Sequence, residues 1–174
     1  MMRRLLQDIR VGLDDEFDQN FTRQAFFSEK WQRVQRPSRA GKNILVDSGA
    51  LRRSFRGRVG ENTITWESTL PYASLHNDGG EITVTARMKK FFWYKHCSTK
   101  EKFDRKKDGS LSKNKRTTAL TAEAEFWKRL ALMKVGSRIK IPKRQFLGAS
   151  PEVERIVEEI IGVNVDEFFN QYDL

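Results

Sequence analysis

A chain of 174 residues, 38% apolar with twelve Phe and four Trp, is long enough for one domain with a real core and too short for two large ones. Its single cysteine, Cys97, rules out an intrachain disulfide, and no window approaches the roughly 18 to 20 consecutive apolar residues that cross a bilayer. Met1-Met2-Arg3-Arg4 leads into no apolar leader, so a product assembled inside a cell, with no membrane contact, is expected.

The elements follow in chain order. Leu6, Ile9, Leu13, Phe17 and Phe21 recur every three or four residues, which predicts a long amphipathic helix running on towards Ala25 and Phe26 and lying across a sheet. From Phe27 to Ile44 the chain is polar and basic and reads as an exposed, disorder-prone loop. Ala50 to Phe55 suits a short helical turn capped by Asp47 or Ser48, and Phe55 to Thr69 reads as a hairpin turning at Gly60-Glu61-Asn62. After Pro71, Tyr72 to His76 is short and helical or irregular, and Gly79-Gly80 permits a reversal at positive φ.

Glu81 to Ala86 alternates as a strand. Met88 to Tyr94 is then dense in aromatics and bases, and Cys97 to Arg116 has the composition of a mobile loop. Thr121 to Met133 favours helix, and Arg138 to Ile141 alternates as an edge strand stopped by Pro142. Ser150-Pro151-Glu152 starts a helix whose face is Val153, Ile156, Val157, Ile160 and Ile161; Gly162 is expected to end it, and Asn164 with Glu167 to cap a last short turn. The expected fold class is α+β. An antiparallel sheet of about four strands packs against a long N-terminal and a C-terminal helix, and residues 87–138 form a basic, partly helical or disordered insertion.

The net charge of +10 is unevenly placed. Arg87 to Arg116 holds twelve Lys or Arg against three acids, whereas Ala149 to Leu174 holds seven acids against one Arg. This predicts head-to-tail complementarity between copies, with Lys102, Arg105, Lys106 and Lys107 of one meeting Glu152, Glu154, Glu158 and Glu159 of the next. A nucleic-acid reading stands beside it, because Lys89, Lys90 and Trp93 belong to a cluster in which rings could stack on bases while amines neutralise phosphates.

The stretch Ile44 to Ser54, with Asp47, Gly49, Leu51, Arg52 and Ser54 in an aliphatic-Asp-small-Gly-x-Leu-Arg-x-Ser pattern, resembles the phage virion morphogenesis or tail completion family. Two further blocks are similar to that family in order and spacing: Tyr72, His76 and Gly79 in Pro71 to Gly80, then Pro142, Arg144, Phe146, Leu147 and Gly148 in Ile141 to Gly148. The resemblance implies one virion-morphogenesis domain over residues 1–174, a structural role without catalysis or cofactor, and repeated copies in a ring at the tail end or head-tail junction. It also implies tail-tube and neck or connector proteins as partners, nonspecific contact with passing DNA, and a place in the virion after assembly in the host bacterial cytoplasm.

Candidate chemical sites are weak by comparison. His76 lies between Tyr72 and Asp78 but lacks a nucleophile and an orienting partner, so a hydrogen bond to the turn backbone is its expected role. His96 and Cys97 have no second ligand pair, and neither Gly79-Gly80 nor Gly109-Ser110 has a phosphate-binding context. Phe146 is expected in the core and Arg144 against a carboxylate or helix end.

Overall fold

The apolar stripe at Ile9, Leu13, Phe17 and Phe21 is buried along one side of the first helix, α1 (Met2–Arg23), in a computed structural model that describes residues 2–39 and 41–171. Asp173, counted above in the acidic tail, lies outside the described residues. The helix stops before Ala25 and Phe26, short of its expected reach, because Gln24 adopts a left-handed φ of 57° and its side-chain amide donates to the Phe21 and Ile44 carbonyls. Two short strands follow, β1 (Ala25–Phe26) and β2 (Glu29–Lys30), paired antiparallel.

Next come α2 (Ala50–Ser54), the hairpin β3 (Phe55–Val59) and β4 (Ile64–Ser68), and α3 (Ala73–Asp78), which ends at Gly79 with φ 74°. The chain continues through β5 (Gly80–Thr83), α4 (Ala86–Lys100), α5 (Lys115–Leu132), β6 (Arg138–Ile141) and α6 (Pro151–Gln171). These elements divide into two compact units. One gathers Met1–Gln32, Asn43–Gly79 and Pro142–Leu174; the other gathers Arg33–Lys42 and Gly80–Ile141.

The class is α+β with long helices at both ends, but the expected single four-stranded sheet does not form. The described strands make three separate two-stranded antiparallel ladders, β1 with β2, β3 with β4, and β5 with β6. In β3–β4, Phe55 faces Ser68 and Val59 faces Ile64; in β5–β6, Gly80 faces Ile141 and Thr83 faces Arg138. A wider sheet needs free backbone edges, and five backbone groups of the segment after Pro142 are already bonded to side chains and to the His76 carbonyl, as described below.

In the first unit the core is aromatic. Phe21 lies 5.2 Å from Phe146, 5.6 Å from Trp31 and 5.9 Å from Phe55, centroid to centroid, and all four rings are buried. Glycine permits two close crossings of α1. A Cβ on Gly57 would stand 2.8 Å from both Asp14 Oδ1 and Trp66 Nε1, and one on Gly12 would stand 2.8 Å from the Ile160 Cδ1 of α6. Trp66 donates to Asp14 at 2.7 Å and meets Phe17 edge-on, fastening the hairpin to α1.

α6 starts as expected, with Ser150 Oγ accepting from the Val153 amide at 3.3 Å, but it neither ends at Gly162 nor restarts at Asn164. Asn164 instead donates to the Ile160 carbonyl at 3.1 Å and Glu167 accepts from Arg4 at 2.8 Å, so the helix runs unbroken to Gln171. The cost of an interior glycine, about 0.5–1 kcal/mol, is too small to stop a helix that packs on α1.

The second unit is a pair of helices beside the β5–β6 ladder. Phe92 of α4 and Trp127 and Ala131 of α5 are buried together, with Met88, Phe126, Leu130 and Ile139 packed around them. Only the two ends of the segment expected to be a loop are helical, residues 101–114 staying outside any helix: α4 continues to Lys100, where Thr99 Oγ1 donates to the Lys95 carbonyl at 2.7 Å, and α5 begins at Lys115, where Asn114 accepts from the Thr117 amide at 2.7 Å. Charge and aromatic density hid α4 from composition, whereas α5 contains the helix expected from Thr121.

Part of the supposed disorder-prone loop is also pinned. Glu123 on α5 is buried and accepts from Arg36 at 2.7 Å, the Ser38 amide at 2.9 Å and Trp127 Nε1 at 2.9 Å, while the Arg36 guanidinium lies 4.8 Å from the Trp127 ring centre. Burial raises the Glu123 pKa, but the Ser38 amide and Arg36 outweigh it and leave the carboxyl below its ordinary value of 4.5.

Candidate functional site

The three motif blocks build one structural assembly in the first unit. In the first block Gly49 takes a φ of 72° at the start of α2, with Ser48 Oγ accepting from the Ala50 amide at 3.3 Å, and Leu51 is buried. Asp47 stays exposed. Arg52 clamps Asp18 of α1 with two bonds, Nε to Oδ1 at 2.5 Å and a second from the other nitrogen arm to Oδ2. The clamp lowers the Asp18 pKa and raises that of Arg52, hydrogen bonding being the largest cause in both. Ser54 Oγ donates to the Leu51 carbonyl at 2.7 Å and lies 2.7 Å from Ser68 Oγ, joining α2 to β4.

The second and third blocks meet as clasp and strap. Arg144 to Leu147 runs outside any ladder, yet five of its backbone groups are bonded. The Arg144 amide donates to the His76 carbonyl at 2.8 Å, and Asn77 Oδ1 accepts from the Phe146 and Leu147 amides at 2.9 and 3.0 Å. Trp31 Nε1 donates to the Gln145 carbonyl at 2.7 Å and Asn20 Nδ2 to that of Phe146 at 3.3 Å. The bonds made by Asn20, Trp31 and Asn77 are not legible in the sequence, because an Asn or Trp announces no partner by its spacing.

Two expectations about this region are corrected. The His76 ring does not bond the turn, since its Nδ1 is buried with no hydrogen-bond partner among the described residues and the contact is made by its backbone oxygen. Burial and the nearby Arg144 both lower the His76 pKa. Arg144, itself buried, meets no carboxylate among the described residues; its Nε donates to the Gln32 carbonyl at 3.0 Å, and desolvation lowers its pKa. Tyr72 is exposed and edge-on to His76 at 6.0 Å. Leu147 and Gly148, with Trp66, Leu70 and Pro71, line an apolar groove of about 780 Å³ floored by Phe17 and Phe146.

The partner-binding candidates are surface residues of separate elements. Lys90 and Trp93 are exposed on α4, with Lys89 half-buried; Lys102, Arg105, Lys106 and Lys107 are exposed between α4 and α5. On α6, Glu154, Glu158 and Glu159 are exposed and Glu152 is half-buried. The aromatic cluster is divided in its use: Phe92 is buried against Trp127, whereas Phe91, Trp93 and Tyr94 remain exposed.

No group of three or more His, Cys, Asp or Glu capable of holding a metal occurs among the described residues, and none of their helices is long and apolar enough to cross a membrane. Long helices at both ends of the chain and short antiparallel hairpins define an α+β protein. The sequence model of the phage virion morphogenesis family matches residues 2–166, nearly the whole chain, and the protein belongs to that family. It is a phage structural protein of the tail-completion kind rather than an enzyme, and the comparison lends no support to the nucleic-acid alternative. No curated protein and no solved structure matches the chain.

Proposed function

We propose that the protein completes or joins the phage tail by self-associating into a ring, at the tail end or the head-tail junction, against tail-tube and neck or connector proteins. It would assemble in the host cytoplasm and remain in the virion tail region. One observation carries the reading: α6, 21 residues long, has no buried residue among those described, yet Ile161, Val163 and Phe169 on it are exposed. A helix that long, with large apolar side chains in water, is stabilised by a surface that another chain covers. Rings arise when one heterologous contact repeats between identical chains.

Mass measurement by light scattering, with and without tail tubes lacking this protein, tests the reading, followed by imaging of any particle. The expected result is a closed oligomer, free or on the tube end. A chain that is monomeric in solution and also on the tubes refutes it.

A further inference from the structure

The geometry points to the outer face of α6 in one copy docking on the outer face of α4 in the next. The inference rests on the ring reading above and specifies its joint.

The inner side of α4 is occupied within its own unit. Phe92 packs on Trp127, and His96 Nδ1 lies 2.9 Å from the Ala124 carbonyl. The opposite side, read at helical spacing, presents Arg87, Lys90, Trp93, Tyr94, Cys97 and Lys100, all exposed. Trp93 is 40% and Tyr94 66% accessible, a large aromatic area to leave in water. α4 carries five Lys or Arg and no acid, and Arg87, Lys90 and Lys100 have no carboxylate partner among the described residues.

The outer face of α6 is its complement in chemistry. Glu154, Glu158, Ile161, Val165 and Phe169 follow one another at spacings of three and four, with Gly162 and Asp166 beside them, on the side turned away from the Ile160 that packs on Gly12. Six acids stand against the lone Arg155, and Glu154, Glu158 and Asp166 are unpaired among the described residues. Ile161 and Phe169 are 38% and 47% accessible.

Gly162 lies in the middle of that face with nothing within 4 Å of where its Cβ would be. A glycine inside a long helix weakens it for no gain within this chain, whereas a helix or ring from another copy could approach the bare backbone there. The Trp93 and Tyr94 rings would seat over Gly162 between Ile161 and Phe169, with the bases of α4 meeting the flanking acids. Each chain has one face of each kind, so the contact is heterologous and repeats until it closes. The apolar centre supplies affinity, and the charges steer and set register.

Cys97, the chain's single cysteine, is exposed on the α4 face and supplies the test. Arg155→Cys in the full chain places a thiol at an exposed position of α6 that is not one of the contact residues, leaving Gly162 bare, and folding is checked by circular dichroism. A short bismaleimide should yield a ladder of oligomers beyond the dimer, because every subunit then carries both thiols. Mixing wild type with the double variant Arg155→Cys/Cys97→Ser should give dimers only, with mass spectrometry locating the link between Cys97 and the introduced thiol.

Assembly by light scattering without that link overturns this joint and leaves the ring reading standing. Cross-linking of the double variant to itself identifies a symmetric α6 contact and likewise overturns the joint. A monomer both free and on tail tubes overturns joint and ring together. Independently, Arg87→Glu, Lys90→Glu and Lys100→Glu combined should slow association at low salt by about tenfold or more. Adding Glu154→Lys, Glu158→Lys and Asp166→Lys in the partner copy should restore it; an unchanged rate in the first variant counts against the joint.

Discussion

Asn77→Ala tests whether the strap from Arg144 to Leu147 is held by side chains in place of a sheet. The substitution removes the one oxygen that accepts from both the Phe146 and Leu147 amides. A stranded amide costs about 1–3 kcal/mol when fully buried, and this site is only partly so; the low end for each gives a loss of about 2 kcal/mol in all. For a chain of this size that lowers the Tm by about 4–8 °C. Urea unfolding followed by circular dichroism and tryptophan fluorescence is suitable, since Trp31 itself donates to the strap at Gln145. The m value should not change, because the same surface is exposed on unfolding. A loss under about 0.5 kcal/mol would mean that water replaces Asn77 without cost and that the clasp is not what holds the strap.

Phe146→Ala should cost about 3–5 kcal/mol in the same assay, because the ring is fully buried among Phe21 and Phe55; combined with Asn77→Ala the losses should fall short of additive, as Asn77 positions the residue removed. Glu123→Gln should lower the stability of the helix pair by about 1–3 kcal/mol, read as proteolysis or hydrogen exchange of the segment at Arg36 and Ser38. The Glu123 carboxyl has a depressed folded pKa, so its contribution is present above the ordinary value of 4.5 and is lost as pH falls through the folded value; Glu123→Gln should remove that acid dependence. His76 is depressed from 6.5, so folding favours its neutral ring: stability is complete above 6.5 and declines as pH falls through the folded value. His76→Gln should flatten the Tm profile across that range, and an unchanged profile would show that the ring is not the titrating group.

Local pattern was enough where neighbours along the chain decide the outcome. The three-and-four spacing from Ile9 to Phe21 specified the buried side of α1, Ser150-Pro151 specified the start of α6, and alternation around Gly60 specified the β3–β4 hairpin. The motif blocks at Asp47 to Ser54, Tyr72 to Gly79 and Pro142 to Gly148 sufficed for the family. Tertiary structure decided the rest, because the governing contacts lie far apart in sequence. Asn20 bonds Phe146 across 126 residues and Asn77 bonds it across 69, so no short window could reveal that the strap leaves the sheet or that its arginine meets a carbonyl. Glu123, an unremarkable acid in a helix of favourable composition, becomes the anchor of a loop only when α5 is laid beside Arg36 and Ser38. Periodicity places a helix and its inward face, but the partner that each polar group finds, and the face still uncovered when the core is full, are properties of the packed chain alone.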